Sequence, residues 1–169
     1  MGKLLIISAT KDNNLNLAKH LHSFLKDEGQ EANLICLEDY TLPLYTGGAS
    51  MHDESIHDLI TALNETDGYI FCSPEYNGGV PPILSNAISW VTVKSKNWRD
   101  AFNDKFALIC THSSGSGHRF ISALRSQLEY MGTNVLARSI SVTNDNPLNE
   151  DSAKRILKRL INIIKRGTL

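Results

Sequence analysis

Gly68-Tyr69-Ile70-Phe71-Cys72-Ser73-Pro74-Glu75-Tyr76-Asn77-Gly78-Gly79-Val80-Pro81-Pro82-Ile83-Leu84-Ser85-Asn86-Ala87-Ile88-Ser89-Trp90 passes from an apolar run, through a loop of prolines and glycines, into a second apolar segment of different period. Residues 68–73 are nearly continuous in apolar character, which suits a strand covered on both faces. Ile83, Leu84, Ala87, Ile88 and Val91 then recur at the three-and-four spacing of a helix with one buried side. Between them, Pro74, Pro81 and Pro82 with Gly78 and Gly79 fix a rigid turn that exposes backbone N–H groups, and Pro81-Pro82 opens the helix. A tight strand-to-helix connection would account for the prolines and glycines. It gains nothing from Glu75, Tyr76 and Asn77 together, whereas a planar heteroaromatic that takes several hydrogen bonds along its edge would use such a tip.

The same alternation extends in both directions. Runs rich in β-branched and aliphatic residues recur at 3–8, 32–37, 106–111 and 135–142. Amphipathic segments separate them: Leu15, Ala18, Leu21, Leu25; Ile56, Leu59, Ile60, Leu63; and Ile121, Leu124, Leu128, Met131. A last helix over residues 149–165 carries Ile156, Leu157, Leu160, Ile161 and Ile164 inward, with Asp151 near its positive end. Five βα units joined by right-handed crossovers predict an α/β fold with a five-stranded, doubly wound parallel sheet and helices on both faces. The common strand order is 2-1-3-4-5, which reverses between strands one and three and opens a crevice beyond their carboxyl ends. The loops after strands one, three and four feed that crevice.

The first of these loops, Ser8-Ala9-Thr10-Lys11-Asp12-Asn13-Asn14-Leu15-Asn16, offers small polar side chains at a helix N-terminus, where a phosphate monoester can sit without a P-loop. Thr10, Asn14 and Asn16 are the donors such a group would use, and Lys11 the charge. Ordinary capping by Asn13 or Asn14 explains the same composition without a ligand. The third loop, Thr111-His112-Ser113-Ser114-Gly115-Ser116-Gly117-His118-Arg119, is polar and placed to close over the crevice. It fits neither G-x-G-x-x-G nor G-x-S-x-G. His112 and His118 lack a carboxylate or thiol at supporting spacing, so no metal site is expected; His118 or Arg119 as a ligand contact and Ser116 as a helix cap are the alternatives.

With 169 residues, 41% of them hydrophobic, the chain suits one domain over 1–169. Seventeen Lys and Arg against 18 Asp and Glu exclude an electrostatic footprint for nucleic acid and the acidic excess of a carrier that docks on basic redox partners. Cys36, Cys72 and Cys110 lie in or beside apolar segments without C-x-x-C spacing and read as buried reduced thiols. No cleavable apolar leader or membrane segment is apparent, so a soluble cytoplasmic protein is expected. Residues 38–53 form the one long connection; Tyr40, Leu42-Pro43-Leu44-Tyr45 and Gly47-Gly48 make it too apolar for a solvated tether, and it should pack on something, a second subunit among the options. Trp90 reads as core, and Trp98, in a polar stretch, as an interface candidate.

The stretch from Ser73 to Trp90 resembles the S-P-E-Y-N-G-S-x-P-x-x-L-K-N-A-I-D-W signature of the NADPH-dependent FMN reductase family, which includes quinone, chromate and azo-dye reductases. Leu42-Pro43-Leu44-Tyr45 is similar to that family's D-L-P-L-Y segment, and Leu124-Arg125 with Met131-Gly132 to its L-R-x-x-L-x-x-L-G helix end. The resemblance covers nearly the whole chain and implies a flavodoxin-like fold. It also implies non-covalent FMN, with NADPH or NADH as co-substrate. Pro74, Glu75, Tyr76 and Asn77 would line the isoalloxazine, Gly78 would let the backbone approach, and Ser113 and Gly115 would match the third cofactor loop. The family's first-loop pattern, G-S-x-R-x-x-S-x-N, keeps here only its final Asn16; Lys11 carries charge without the fork of an Arg, and Asn14 carries a donor where a Ser is usual.

No catalytic side chain is expected, because the flavin N5 carries the chemistry. With FMN bound, hydride transfer from NAD(P)H to the ring and then electrons to a small acceptor at the same face are expected, hence ping-pong kinetics, with backbone N–H groups of the loop after strand three, and those near Ser113 to Gly117 as further candidates, stabilising negative charge on the reduced ring. Homodimers or homotetramers are the family habit. Two other readings stand beside this one: a flavodoxin-like electron carrier, and a protein that kept the fold, lost FMN and serves as a binding module.

Overall fold

Central parallel strands have no solvent face, and their side chains alternate between two helical layers. The computed structural model of the chain, which describes residues 2–47 and 54–167, shows this directly. Strands β1 (Leu4–Ser8) and β3 (Gly68–Cys72) are buried at every position, whereas β2 (Ala32–Cys36), on the edge, is largely half-buried. Leu5 and Ile7 of β1 join one core, and Leu4 and Ile6 the other. The first core is roofed by α2 (Glu54–Asn64), α3 (Pro82–Lys94) and α4 (His118–Tyr130); the second by α1 (Asn13–Asp27) and α5 (Glu150–Gly167).

Every strand pair is parallel, and the order β2-β1-β3-β4-β5 is the one read from the sequence, with β4 spanning Phe106–His112. Ser8 lies opposite both Cys36 and Cys72, and Cys72 opposite Cys110, so the chain leaves β1, β3 and β4 along one edge of the sheet. The three cysteines are buried free thiols. Burial holds the Cys110 thiol well above its ordinary pKa and therefore neutral.

Three details differ from the expectations. The fifth strand is broken: β5 (Asn134–Val135) pairs with the start of β4 and β6 (Ile140–Val142) with its end. Arg125 explains the break, because its guanidinium donates to the carbonyls of Val135 (3.3 Å) and Leu136 (2.7 Å) and turns them toward α4. In α1 the buried stripe is Leu17, Ala18, Leu21 and Leu25; Leu15 is only half-buried. Finally, Leu42-Pro43-Leu44-Tyr45 packs on its own chain. Trp90 Nε1 donates to Pro43 O at 2.7 Å, Asn86 Nδ2 to the same carbonyl at 3.0 Å, and the Tyr45 ring meets the buried Trp90 edge-on at 5.2 Å. Pro43 and Leu44 of the four are left exposed, Leu44 at 74%. Gly48, at the far end of that connection, lies outside the described residues.

Candidate functional site

The loop after β3 is held by its backbone. Ser73 N donates to Cys110 O at 3.1 Å, extending the ladder one residue past the strand. Tyr76 N then donates to Gly79 O (3.2 Å) and Gly79 N to Tyr76 O (3.0 Å), with Asn77 at φ +51° and Gly78 at φ +71° between them. Two left-handed central residues closed by a reciprocal pair are a type I′ hairpin turn, for which Asn-Gly is the favoured sequence. Gly78 has a second reason to be glycine: a Cβ there would stand 3.0 Å from Arg119 Cδ, which lies over the turn.

Glu75 joins this hairpin to the loop after β4. Its N–H donates to Ser113 Oγ (2.8 Å), which also shares a hydrogen bond with the buried Thr111 hydroxyl (2.8 Å). Its carboxylate accepts from Phe120 N at 2.9 Å, in the first turn of α4. The residue preceding that helix is Gly117, at φ +66°, with no side chain to cap it. The cap thus comes from Glu75 and not from Ser116, whose carbonyl accepts from Ser141 Oγ instead.

The loop after β1 is built from side chains. Asp12, at φ +55°, precedes α1 without capping it, and neither Asn13 nor Asn14 does so. The buried Asn14 amide is spent on β4: Nδ2 donates to His112 O (3.0 Å) and Oδ1 accepts from His112 N (2.9 Å). The first N–H groups of α1 are therefore left without a capping side chain, as an anion site requires. Lys11 is engaged twice. Its N–H donates to Glu38 Oε1 at 3.0 Å, and its ammonium pairs with Asp39 at 3.1 Å, which raises the lysine pKa through that hydrogen bond and charge.

These loops enclose an open cleft of about 430 Å³. Of the residues expected from the sequence, Thr10, Lys11, Asn14, Pro74, Glu75, Tyr76 and Ser113 line it. Asn16, on the exposed side of α1, Asn77 and Gly78, at the hairpin tip, and Gly115, in the exposed loop after β4, do not. The cleft also takes in Glu38 and Asn144, which were missed; both follow edge-strand segments that end at the same sheet edge as β1 and β3. A second cleft of about 460 Å³ lies between the broken edge strand and α5, lined in part by Arg138, Arg155 and Arg159. The smaller one stands where an open α/β sheet binds ligands, at the carboxyl ends of its strands where the order reverses.

The cleft fits FMN over most of its surface. His112 Nε2 is buried there without a hydrogen-bond partner, an orphan that a ligand atom would satisfy. Half-exposed Tyr76 offers an aromatic face, and the uncapped turn of α1 offers N–H groups to a phosphate. Glu38, a carboxylate at the α1 end, is the exception. Among the described residues no group of three or more His, Cys, Asp or Glu is placed to hold a metal ion, and no helix is long and apolar enough to cross a membrane.

Comparison with known proteins identifies the family of the chain. The chain is 23% identical over 169 residues to an NADPH azoreductase of Bacillus sp. (strain OY1-2), covering 96% of this chain and 90% of that one. It is 29% identical over 140 residues to an uncharacterized protein of Mycoplasma pneumoniae, covering 78% and 81% respectively. Among solved structures, the flavoenzyme NAD(P)H:(acceptor) oxidoreductase FerB from Paracoccus denitrificans superposes with a TM-score of 0.79 at 17% identity, covering 99% of each chain, a likeness that speaks for the fold. The family model for NADPH-dependent FMN reductase matches residues 3–147, the span that carries the hairpin, the first loop and the Glu75 cap, and the chain belongs to that family of NAD(P)H-dependent oxidoreductases.

Proposed function

We propose that this chain, working as one flavodoxin-like domain over residues 1–169, holds FMN in the cleft between its three loops and passes electrons from NAD(P)H to a small acceptor. Quinones, flavins, azo compounds and metal oxyanions are the acceptor classes, and the azoreductase relative favours the azo group among them. The observation that carries the reading is the Tyr76-Asn77-Gly78-Gly79 hairpin, locked to α4 through Glu75 and Phe120 at the edge of the cleft. Bound FMN supplies the redox chemistry, taking reducing equivalents from NAD(P)H and yielding them to the acceptor.

The protein's part is placement. Pro74, Glu75 and Tyr76 form one wall, Ser113 and Ser114 of the adjoining loop continue it, and Thr10, Lys11 and Asn14 make the α1 end. No side chain is assigned a proton to transfer. The cleft is open, so donor and acceptor use the same face in turn, which predicts ping-pong kinetics. The test is an FMN titration followed by NADPH oxidation at several acceptor concentrations. Saturable binding with parallel double-reciprocal lines supports the reading, and intersecting lines overturn the shared face.

A second reading, a fold retained as a binding module without cofactor, is favoured by the commitment of Lys11 and Asn14 to internal partners. A folded protein that takes up no flavin would establish it. We place the protein in the cytoplasm as a homodimer or homotetramer. Trp98, 45% exposed, stacks with Arg99 (4.3 Å from ring centre to guanidinium carbon) and Tyr130 (5.9 Å between rings), an aromatic and arginine surface of the kind that anchors interfaces. Light scattering of the wild type and Trp98→Ala tests it.

A further inference from the structure

The α1 end of the cleft is closed by this chain's own carboxylates. Glu38 Oε1 accepts the Lys11 N–H at 3.0 Å, and Glu38 itself lines the cleft. The Lys11 ammonium, among the described residues the one Lys or Arg side chain on the lining, is turned to Asp39 at 3.1 Å. The Asn14 amide is oriented by the His112 backbone, with its oxygen and one of its two N–H donors engaged there. Of the charged lining residues, Lys11 is set against Asp12, Glu38 and Glu75, one cation to three carboxylates. A phosphate monoester carries close to two negative charges at neutral pH, so what this end offers in α1 N–H groups it opposes in side-chain charge. Like charges in a shared site suppress binding of the wrong partner more strongly than a neutral group would.

We propose that Glu38, with Asp39 behind it, sets the flavin selectivity of the cleft: Glu38 takes the place of the phosphate at the Lys11 amide, so the protein distinguishes weakly between FMN and the unphosphorylated flavin, riboflavin. The proposal rests on the flavin-binding reading and concerns only the tail of the ligand. FMN enters by displacing Glu38 from the Lys11 N–H, whereas riboflavin, with a neutral ribityl end, leaves that bond in place. Glu38 is exposed and Asp39 lies on the surface beside it, so neutral replacements leave the core intact.

The experiment is equilibrium titration of the purified full chain with FMN and, separately, riboflavin, read by flavin fluorescence, for the wild type, Glu38→Gln and Asp39→Asn. In the wild type the two dissociation constants should lie within about tenfold of each other. Glu38→Gln should tighten FMN by about tenfold and leave riboflavin unchanged; Asp39→Asn, which frees the ammonium, should act in the same direction more weakly. A wild type that prefers FMN by more than about a hundredfold overturns the proposal. So does a Glu38→Gln protein whose FMN affinity is unchanged or weaker, or one in which both flavins shift equally, since that change would then lie at the ring. If no variant binds either flavin while circular dichroism shows it folded, the flavin reading itself falls and this proposal with it.

Discussion

The loops after β3 and β1 meet in one cleft on opposite plans. The β3 loop is fixed by main-chain bonds, a reciprocal Tyr76–Gly79 pair around Asn77 and Gly78, and its one carboxylate, Glu75, is spent on the α4 N-terminus. The β1 loop has a bare helix end and lets the backbone of β4 and the carboxylates of the turn after β2 decide what remains available: Asn14 goes to the His112 main chain, and Lys11 to Glu38 and Asp39. Backbone geometry is specified by a few residues and survives substitution around them. A charge balance changes with any single residue that enters it. In the proposed flavin site the ring end is therefore the constant part and the phosphate end the adjustable one.

The largest test of that contrast is Gly78→Val. It places a β-branched residue at φ +71° against Arg119, and should cost about 1–3 kcal/mol and weaken flavin binding at least about tenfold in a fluorescence titration. Gly29→Ala, at φ +68° with nothing near the added carbon, should leave flavin binding unchanged. Next is Asn14→Ala, which removes both bonds to His112 and should lower stability by about 2 kcal/mol in urea. The exposed Asn16→Ala should stay within about 0.5 kcal/mol. Equal effects at the two positions would mean that Asn14 is not the tie between the loops.

Glu75→Gln keeps an acceptor for Phe120 N but loses the charge at the helix end; about 1 kcal/mol of stability should go, with the hairpin intact. The smallest effect on flavin binding comes from the far edge of the sheet. Lys105, pushed down to about 8 by burial although Asp67 opposes the shift, donates to the Leu63 and Asn64 carbonyls. Between pH 8 and 10.5 the unfolded chain holds the proton that the folded chain releases, so this lysine makes stability rise with pH across that window. Urea midpoints at the two ends should show the rise in the wild type and a smaller one in Lys105→Met, with flavin affinity following neither.

Much of this was legible in the residues. The unbroken apolar runs and the three-and-four spacing of the helices are local patterns, and they sufficed for the strand order and both helical layers. Asn77-Gly78 announced its turn because φ > 0 at consecutive positions has few sequence solutions. What stayed hidden depends on pairings across long stretches of chain. Nothing in the run over residues 135–142 reveals that Arg125 will pull its carbonyls aside and break the strand. Glu38 stands in the sequence only as the start of the long connection after β2, and the parallel alignment of Ser8 with Cys36 brings it beside Lys11. Asn14 looked like a helix cap or a phosphate donor, and its partner is 98 residues away.

That separation bears on how long the protein lasts. The Asn14–His112 clasp joins loops 98 residues apart along the chain, so forming it carries a loop-closure entropy cost that the folded chain has met. A ligand seated in the cleft between those loops therefore binds the native chain in preference to the unfolded one. At a hundred times its dissociation constant such a ligand adds about 2.7 kcal/mol to the free energy of unfolding. On the flavin reading proposed above, supply of cofactor then changes how much of the protein escapes proteolysis as well as how much of it is active.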